Sequence, residues 1–207
     1  MYISPTIGGV KVGETKRKIL EESIRLFSER SFATVTTRDI TKAADIKPAS
    51  LYSHFPSKED ILRQLYAFYE ENIVRSWPDV DALLRDAKTD PPLDVLARAS
   101  HNHDPQIREA MDRIMSIAAN DFRLNSISET FINQNIIDSS RRILGALFER
   151  MLELGRIEQF DIYAFLTLYT NFAYSAALRN FTSSPVTMED WHRGLGFLYG
   201  MIKPTGK

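Results

Sequence analysis

Apolar residues recur at helical spacing along almost the whole chain, and this pattern predicts an all-α fold. The clearest case is residues 16–30, where Leu20, Ile24 and Phe27 fall at i, i+4 and i+7 and form one apolar stripe. No alternation of apolar and polar residues typical of a strand runs for more than four residues. The further predicted helices span residues 36–44, 48–55, 58–77, 81–88, 92–100, 128–154, 161–181 and 187–202, with another beginning at residue 105.

Residues with capping chemistry mark where these helices begin and end. Thr36, with Asp39 three residues further on, is typical of a helix start, and Pro48 suits a first helical position because no N–H is needed there. Gly155 is a suitable residue to end the helix that precedes it. The second and third helices are short and joined by a tight turn, and the third exposes small and polar side chains. These are the elements of a helix-turn-helix, the motif that places a recognition helix in the major groove of DNA.

The distribution of charge changes the picture that the total gives. The 207 residues carry a net charge of −1, which by itself indicates no nucleic-acid partner. Residues 1–56 hold nine Lys or Arg against six Asp or Glu, a net of +3, so residues 57–207 carry −4. The asymmetry favours an anion-seeking N-terminal module on an acidic body. Two arbitrary halves of a mixed surface remain the alternative.

Several kinds of chemistry are excluded or weakly supported. The chain has no cysteine, which excludes disulfides, thiolate catalysis and Cys-based zinc sites. No phosphate loop, His-Glu-x-x-His or Gly-x-Ser-x-Gly motif is present. His101 and His103 beside Asp104 suggest a metal only superficially, because two ligands on a loop are not a site, and Asp104 suits a helix N-cap before Pro105. We therefore expect no metal and no cofactor.

Nothing in the sequence predicts export or a membrane. The first 13 residues lack the early positive charge and the apolar run of a signal peptide. The most apolar long stretch, residues 160–178, is interrupted by Asp161, Asn171 and several hydroxyl side chains, whereas a spanning helix needs about 20 nearly uninterrupted apolar residues. We expect a cytoplasmic protein without membrane contact.

The run TTRDITKAADIKPASLYSHFPSKEDIL at residues 36–62, preceded by KRKILEESIRLFSERSF, resembles the N-terminal domain of the tetracycline-repressor (TetR) family. The most diagnostic portion is LY-x-HF-x-SK, at residues 51–58. The resemblance implies that residues 1–57 form a helix-turn-helix DNA-binding domain, with residues 1–13 as a loose arm. Residues 58–207 would then form a helical regulatory and dimerisation domain, in which residues 58–77 are the connecting helix.

The resemblance also implies which residues touch DNA. Residues 36–38 would open the second helix and contact phosphates, residues 47–50 would read bases, and the remainder would contact the DNA backbone. The implied set is Thr36, Thr37, Arg38, Lys47, Pro48, Ala49, Ser50, Tyr52, His54 and Lys58. The chain departs from relatives at Ser31 and Asp45, where Gly is common, and at Lys47, where a Ser or Thr cap is frequent. The base preference therefore cannot be copied from a relative.

The helix predicted over residues 161–181 is apolar on most of its sides, so it needs to be buried on most of its sides. One face on the core of its own subunit and another on a second subunit would meet that need, and a fully intramolecular helix is the alternative. The resemblance likewise implies a dimer through the last two helices. The predicted interface residues are Tyr163, Leu166, Ala173, Ala177, Trp191, Leu195, Leu198 and Ile202.

Aromatic and amide side chains in the C-terminal part suggest a ligand site, because small-molecule pockets are mostly apolar with a few polar groups. The candidates are Tyr66, Tyr69, Trp77, Asn120, Phe122, Phe131, Phe165, Tyr169 and Phe172. Ordinary core packing is the alternative for each of them. The expected ligand is a small apolar or aromatic molecule.

Together these expectations describe a one-component transcriptional regulator. It would bind a palindromic double-stranded DNA operator as a homodimer, act as a repressor, and be released by a small-molecule ligand. A DNA-binding regulator without a ligand and an all-α enzyme are the alternatives, which operator release by a metabolite and substrate turnover would distinguish.

Overall fold

The computed structural model describes residues 6–7, 10–11, 13–76, 79–99, 105–179 and 183–205. Over these residues the protein is almost wholly helical, so the all-α class predicted from the apolar pattern is confirmed. In chain order the helices are α1 Glu14–Arg30, α2 Thr37–Ala43, α3 Pro48–His54, α4 Lys58–Ser76, α5 Val80–Asp86, α6 Pro92–Ala99, α7 Pro105–Asp121, α8 Ser126–Ile132, α9 Ala146–Glu153, α10 Ile162–Arg179 and α11 Met188–Tyr199.

Two short strands lie near the N-terminus, and the loose arm predicted over residues 1–13 stays a prediction. Strands β1 (Thr6–Ile7) and β2 (Val10–Lys11) pair antiparallel, with Ile7 opposite Val10. Strands of two residues are too short to show the alternation that predicts a strand, which is why the pattern missed them.

The predicted helix starts are formed by side-chain caps. Thr36 and Asp39 form a reciprocal capping box at the start of α2, and Thr187 with Asp190 does the same for α11. Each box satisfies two backbone N–H groups that a helix start leaves without a partner. Pro48 occupies the first turn of α3, as its missing N–H predicts.

Left-handed backbone ends three elements. Gly155 follows α9 with φ 63°, Asp45 follows α2 with φ 52°, and Ser31 follows α1 with φ 70°. After α2 the Asp45 N–H bonds the Lys42 carbonyl at 3.3 Å and the Ile46 N–H bonds that of Thr41 at 3.0 Å, the paired bonds of a Schellman motif. Asp45 and Ser31 thus hold backbone conformations that favour glycine.

The helix predicted over residues 128–154 is not regular. Two π-helical stretches lie between α8 and α9: Asn133–Asp138 and Arg141–Gly145. Between them, the Ser139 hydroxyl donates to the Asn135 carbonyl at 2.6 Å and that of Ser140 to the Ile136 carbonyl at 2.5 Å. These hydroxyls compete with backbone N–H groups for the carbonyls of the preceding turn, which loosens the regular ladder.

The chain divides into two compact units by its contacts. Unit 1 contains residues 1–75, 103–132 and 180–184, and unit 2 contains residues 76–102, 133–179 and 185–207. Unit 1 therefore holds α4, α7 and α8 in addition to the first three helices. The functional division predicted at residue 57 stays a prediction.

Unit 1 packs its first helix against α7. The stripe of α1 predicted from the sequence is buried, with Leu20, Ile24 and Phe27 almost inaccessible to solvent. On the same helix, the Ser28 hydroxyl accepts a hydrogen bond from Arg113 Nη1 of α7 at 2.9 Å. The first helix is thus held to α7 by apolar packing and by a polar bond.

Unit 2 has an aromatic core and a tied C-terminus. Phe148 packs edge-to-face on Phe165, which also stacks on Tyr199 of α11. After α11 the chain pairs back: Glu158 N–H bonds the Lys203 carbonyl at 2.8 Å, and Thr205 N–H bonds the Arg156 carbonyl at 2.9 Å. This bridge holds the segment after α11 against the α9–α10 connection.

Candidate nucleic-acid interface

Most side chains predicted to contact DNA form one exposed row along the start of α2 and along α3. On the opposite side of α3, Leu51 and Phe55 are buried. Thr36, Arg38, Lys47, Pro48, Ala49, Tyr52 and His54 are exposed, whereas Thr37, Ser50 and Lys58 are half-buried. The helix-turn-helix thus turns its apolar positions inward and its small and polar positions outward.

The first turn of α3 has the shape that groove entry needs. It begins at Pro48, followed by Ala49 and Ser50, none of which projects a long side chain. Small residues at the start of a recognition helix let the backbone approach base edges closely. Lys47 precedes them as the N-cap residue without a side-chain capping bond, and its side chain is exposed.

The start of α2 is fixed by hydrogen bonds to Asp39. That carboxylate accepts from the Thr36 backbone N–H at 2.9 Å and from the Thr36 hydroxyl at 2.7 Å, and these bonds hold the pKa of Asp39 below its usual range. Arg30 lies 3.6 Å from the same carboxylate. The Thr36 hydroxyl is therefore already engaged within the protein, although the residue is exposed.

One hydrogen bond joins α2 to α3 across the turn. Thr37 Oγ1 and the Tyr52 hydroxyl lie 3.3 Å apart, and either can donate to the other. The tyrosine ring is 53% exposed. This contact helps to set the position of the Tyr52 hydroxyl, and its predicted contact with the DNA backbone stays a prediction.

Lys58 is placed differently from the other predicted contacts. Its Nζ donates to the Phe32 carbonyl at 2.7 Å and to the Val35 carbonyl at 2.8 Å, and it lies 4.2 Å from the centroid of the Phe32 ring. An ammonium group has three N–H donors, so two of them are used inside the protein. The contact of Lys58 with a phosphate stays a prediction, and only the third N–H donor is left for it.

Asp121, at the end of α7, is a residue that the sequence did not single out. Its side chain is 1% exposed, and its Oδ2 accepts the Phe32 backbone N–H at 3.0 Å. Burial raises the pKa of this carboxyl, while the Phe32 hydrogen bond and the charge of Lys58 act in the opposite direction. Because 89 residues separate the two partners, no local pattern could have revealed the contact.

The predicted dimer residues differ in their exposure. Leu195, Leu198 and Ile202 belong to the core of unit 2 and are buried within the subunit, and their part in a dimer interface stays a prediction. Leu166 and Ala177 are also buried, Ala173 and Trp191 are half-buried, and Tyr163 is exposed. Among the side chains that the structure describes on α10, on α11 and in the turn after it, the large apolar ones that are exposed are Tyr163, Leu168, Phe197 and Met201.

The predicted ligand residues fall into both contact units. In unit 1, Tyr66 stacks on Phe131 with 4.1 Å between ring centroids, Tyr69 packs edge-to-face on Phe131, and the Tyr66 hydroxyl lies 2.6 Å from Ser128 Oγ. In the same unit Phe122 is half-buried and Asn120 is exposed. Phe165, Tyr169 and Phe172 belong to unit 2, and Trp77 lies outside the described residues.

The described residues can be searched for a metal site and for a membrane-spanning helix. Within the described ranges, no three acidic or histidine side chains are arranged to hold a metal ion, and His101, His103 and Asp104 lie outside those ranges. None of the helices in the described part of the chain combines the length and apolar character that crossing a bilayer requires.

Comparison with known proteins gives a specific match to the N-terminal part. Residues 19–65 match the model of the tetR family of bacterial regulatory proteins. Over 49 residues the chain is 47% identical to IcaR of Staphylococcus epidermidis, a negative transcriptional regulator of the biofilm operon icaADBC, and 49% identical to IcaR of Staphylococcus aureus. Each match covers 24% of this chain and 26% of the relative, so the chain spans about a quarter of the length of these relatives.

Solved structures extend the likeness of fold to nearly the whole chain. A putative transcriptional regulator from Saccharomonospora viridis, solved in complex with choline, aligns over 92% of this chain and 98% of its own, with a TM-score of 0.59 and 19% identity. A γ-butyrolactone receptor aligns over 93% and 89%, with a TM-score of 0.57 and 14% identity. Residues 19–65 are thus similar to the tetR family of bacterial regulatory proteins, and nearly the whole chain shares its fold with these solved structures.

Proposed function

We propose that this protein is a transcriptional regulator that binds a palindromic double-stranded operator as a homodimer. The observation that carries the proposal is the exposed row on α2 and α3, in which small residues at the start of α3 are flanked by Arg38, Lys47 and Tyr52. Small residues allow entry into the major groove, and the cations and hydroxyls around them supply contacts to phosphates and base edges. The match of residues 19–65 to the tetR family model covers this same region.

The exposed apolar side chains of unit 2 support the homodimer. We use the name apolar face for the set of exposed side chains Tyr163, Leu168, Phe197 and Met201, which lie on α10, on α11 and in the turn after it. Tyr163 is 71% exposed and Phe197 76% exposed. Apolar side chains of this size gain free energy when a second copy covers them. A two-fold dimer presents two recognition helices, which matches two half-sites of a palindrome.

We further propose that binding represses transcription and that a small apolar or aromatic molecule releases the protein from DNA. Repression is suggested by IcaR, which is a negative regulator. A ligand is suggested by relatives of the same fold, among them the choline complex and the γ-butyrolactone receptor, and by the aromatic candidates of both units. Such a ligand has to bind better to the state that does not bind DNA, since only differential affinity shifts a population. The cytoplasm is the compartment this function requires.

The DNA-binding part is tested by selecting duplexes from a random library and measuring affinity for the selected sequence against salt concentration. Lys47→Ala should weaken binding by about 1–3 kcal/mol if Lys47 reads a base, and substitutions of Ala49 or Ser50 should change the preferred sequence. Lys88→Ala removes the same charge from an exposed site of unit 2 and should change neither property. Absence of any selected duplex, or unchanged affinity and preference in the α3 variants, would contradict the proposal.

The ligand is tested separately by thermal-shift screening of the purified protein against a panel of metabolites. A compound that raises the melting temperature should also release the selected duplex, because it stabilises the state with lower DNA affinity. If no compound changes DNA binding, the regulator acts without a small-molecule ligand. Turnover of a compound without specific DNA affinity would favour the alternative of an all-α enzyme.

A further inference from the structure

The loop of residues 31–36 connects α1 to α2 and leads into the exposed row that is predicted to face DNA. It starts at Ser31 in a left-handed conformation and ends at Thr36, the N-cap of α2. The side chains of Phe32 and Val35 are buried, so this loop is anchored in unit 1. Its conformation therefore decides where α2 begins relative to α3.

Side chains from outside the helix-turn-helix bind the backbone of this loop at three points. Asp121 of α7 accepts the Phe32 N–H, and Lys58 of α4 donates to the carbonyls of Phe32 and Val35. The first bond lies at the start of the loop, and the last lies on the residue immediately before Thr36. The loop is thus held at both ends.

The chemistry of these bonds makes them strong. Each pairs a neutral backbone group with an ionisable side chain, and charge-assisted hydrogen bonds contribute more than neutral ones. Asp121 is almost fully buried, so water cannot easily replace it as the acceptor for the Phe32 N–H. Without Asp121, that N–H would lose its partner in a place that is costly for an unpaired group.

Another polar bond of α7, which joins it to the first helix, provides a contrast. Arg113 Nη1 donates to Ser28 Oγ, which lies within α1 and does not belong to the loop. Both bonds hold α7 to the N-terminal part of unit 1, but only the Asp121 bond acts on the backbone that leads into α2. Removing each bond in turn therefore distinguishes an effect of attaching α7 from an effect of positioning α2.

We propose that Asp121 and Lys58 are positioning residues for DNA binding, which hold the 31–36 loop so that α2 and α3 meet the operator in a fixed arrangement. The inference rests on the proposed DNA-binding function. It assigns Asp121, a residue in α7 that does not lie on the exposed row, a part in operator affinity. Loss of the bond would leave the loop to be ordered when DNA binds, and that ordering would reduce affinity.

The test compares Asp121→Ala, Asp121→Asn and Ser28→Ala on the selected duplex, at a temperature where circular dichroism shows each variant folded. Asp121→Ala should raise the operator Kd about tenfold, as expected for losing a hydrogen bond to a charged group. The slope of affinity against salt should stay unchanged, because no phosphate contact is lost. Asp121→Asn keeps an oxygen acceptor for the Phe32 N–H and should restore most of the affinity, and Ser28→Ala should bind as the parent protein does.

Hydrogen exchange of the DNA-free protein provides a readout that does not depend on the operator. The amides of residues 31–36 should lose protection in Asp121→Ala and in Lys58→Met, and should keep it in Ser28→Ala. The Lys58 variant serves this measurement alone, since Lys58 is also a predicted DNA contact. It also keeps the question testable if Asp121→Ala does not fold.

Three results would overturn the positioning role: parental affinity in folded Asp121→Ala, an equal loss of affinity in Ser28→Ala, or unchanged protection of the loop in both Asp121→Ala and Lys58→Met. The failure of the proposed function would look different. In that case the parent protein itself would select no duplex. If instead the parent protein and the Asp121→Ala variant bind a selected duplex with equal affinity, only the positioning role is refuted.

Discussion

Asp45 occupies a backbone position where glycine would be favoured. It follows α2 with φ 52°, within a Schellman motif, and its side chain is exposed. A left-handed conformation costs a residue with a Cβ about 1–2 kcal/mol, whereas glycine adopts it freely. Glycine also gives the unfolded chain more conformational entropy, which opposes this gain. The net effect of Asp45→Gly should therefore be to raise the free energy of unfolding by about 0.5–1 kcal/mol. Urea denaturation measures the change.

Gly155→Ala supplies the reverse control for this prediction. Gly155 holds φ 63°, and an added Cβ would meet no atom within 4 Å, so any loss of stability reports the backbone alone. It should lower the free energy of unfolding by about 1 kcal/mol. Equal stability of the parent protein, Asp45→Gly and Gly155→Ala would contradict the assignment of left-handed backbone to these positions.

Asp112 of α7 makes the stability of the protein depend on pH. Burial raises the pKa of its carboxyl to about 6, against a smaller opposing effect of Arg108. In the unfolded chain this carboxyl titrates near pH 4, so between about pH 4 and 6 the folded state binds more protons. The free energy of unfolding should fall by at most about 3 kcal/mol as the pH rises through that range, which corresponds to two pKa units. Above about pH 6 it should stay level.

Asp112→Asn tests this dependence, because it removes the carboxyl and keeps the shape of the side chain. The variant should be more stable than the parent protein at pH 7 and similar to it at pH 4, as measured by urea unfolding at both values. Asp94→Asn, on the exposed side of α6, should produce no such difference between the two pH values. A pH-independent effect of Asp112→Asn would refute the prediction.

At the residue scale, the sequence reveals contacts between near neighbours and misses those between distant residues. The Thr36–Asp39 capping box could be predicted because both partners lie within one turn, and the two departures from Gly at Ser31 and Asp45 mark left-handed positions. The Asp121 bond to Phe32 could not be predicted. Neither residue type indicates the other, and only folding brings them together.

At the element scale, Gly194 makes close packing between α10 and α11 possible. A Cβ at this position would overlap Cζ of Phe172, whose ring stacks on that of Trp191 with 4.9 Å between the ring centroids. Gly194→Ala should displace the ring and destabilise the protein by about 1–3 kcal/mol, as overpacking does. Thermal unfolding measures the loss, and a change in Trp191 fluorescence should accompany it.

Gly196→Ala, two residues further along the same helix, is the matched control. A Cβ there would meet nothing within 4 Å, so the variant should gain about 0.5–1 kcal/mol from replacing a mid-helix glycine. Because Gly196 lies next to Phe197 of the apolar face, both variants should be compared in a Phe197→Asp background, where pairing of subunits is removed. Equal effects of the two substitutions would show that Phe172 does not limit the space at Gly194.

The elements themselves were largely predictable, and their irregularities were not. Apolar spacing and caps placed α1, α2, α3 and α4 close to their observed bounds. The same spacing cannot distinguish an α-helix from the π-helical stretches within residues 133–145, since both present an apolar side to the core. It also marked Leu195, Leu198 and Ile202 as an apolar stripe without indicating whether the subunit or a second copy buries them.

At the scale of the whole molecule, the apolar face predicts the oligomeric state. Phe197→Asp places a charge where a second subunit would need an apolar surface, so it should convert a dimer into monomers in analytical ultracentrifugation. Operator affinity should fall with it, because two linked recognition helices bind far more tightly than one. The effect on DNA should be at least about 100-fold for that reason.

Leu124→Asp controls for the introduction of a charge at an exposed apolar residue. Leu124 is 77% exposed, close to the 76% of Phe197, but it lies in the turn between α7 and α8 of unit 1. This variant should stay dimeric and keep its operator affinity. A parent protein that sediments as a monomer would contradict the homodimer.

The composition of unit 1 matters for chimeras in which the predicted DNA-binding part of one protein replaces that of another. A graft at residue 57 transfers α1 to α3 and leaves behind Lys58 and Asp121, which hold the loop of residues 31–36. The loop of the transplanted part would then face Lys58 and the buried carboxylate of Asp121, which do not match its own hydrogen-bonding groups. Grafts that also supply the donor's partners for this loop, from the start of α4 and the end of α7, should keep the DNA specificity of the donor.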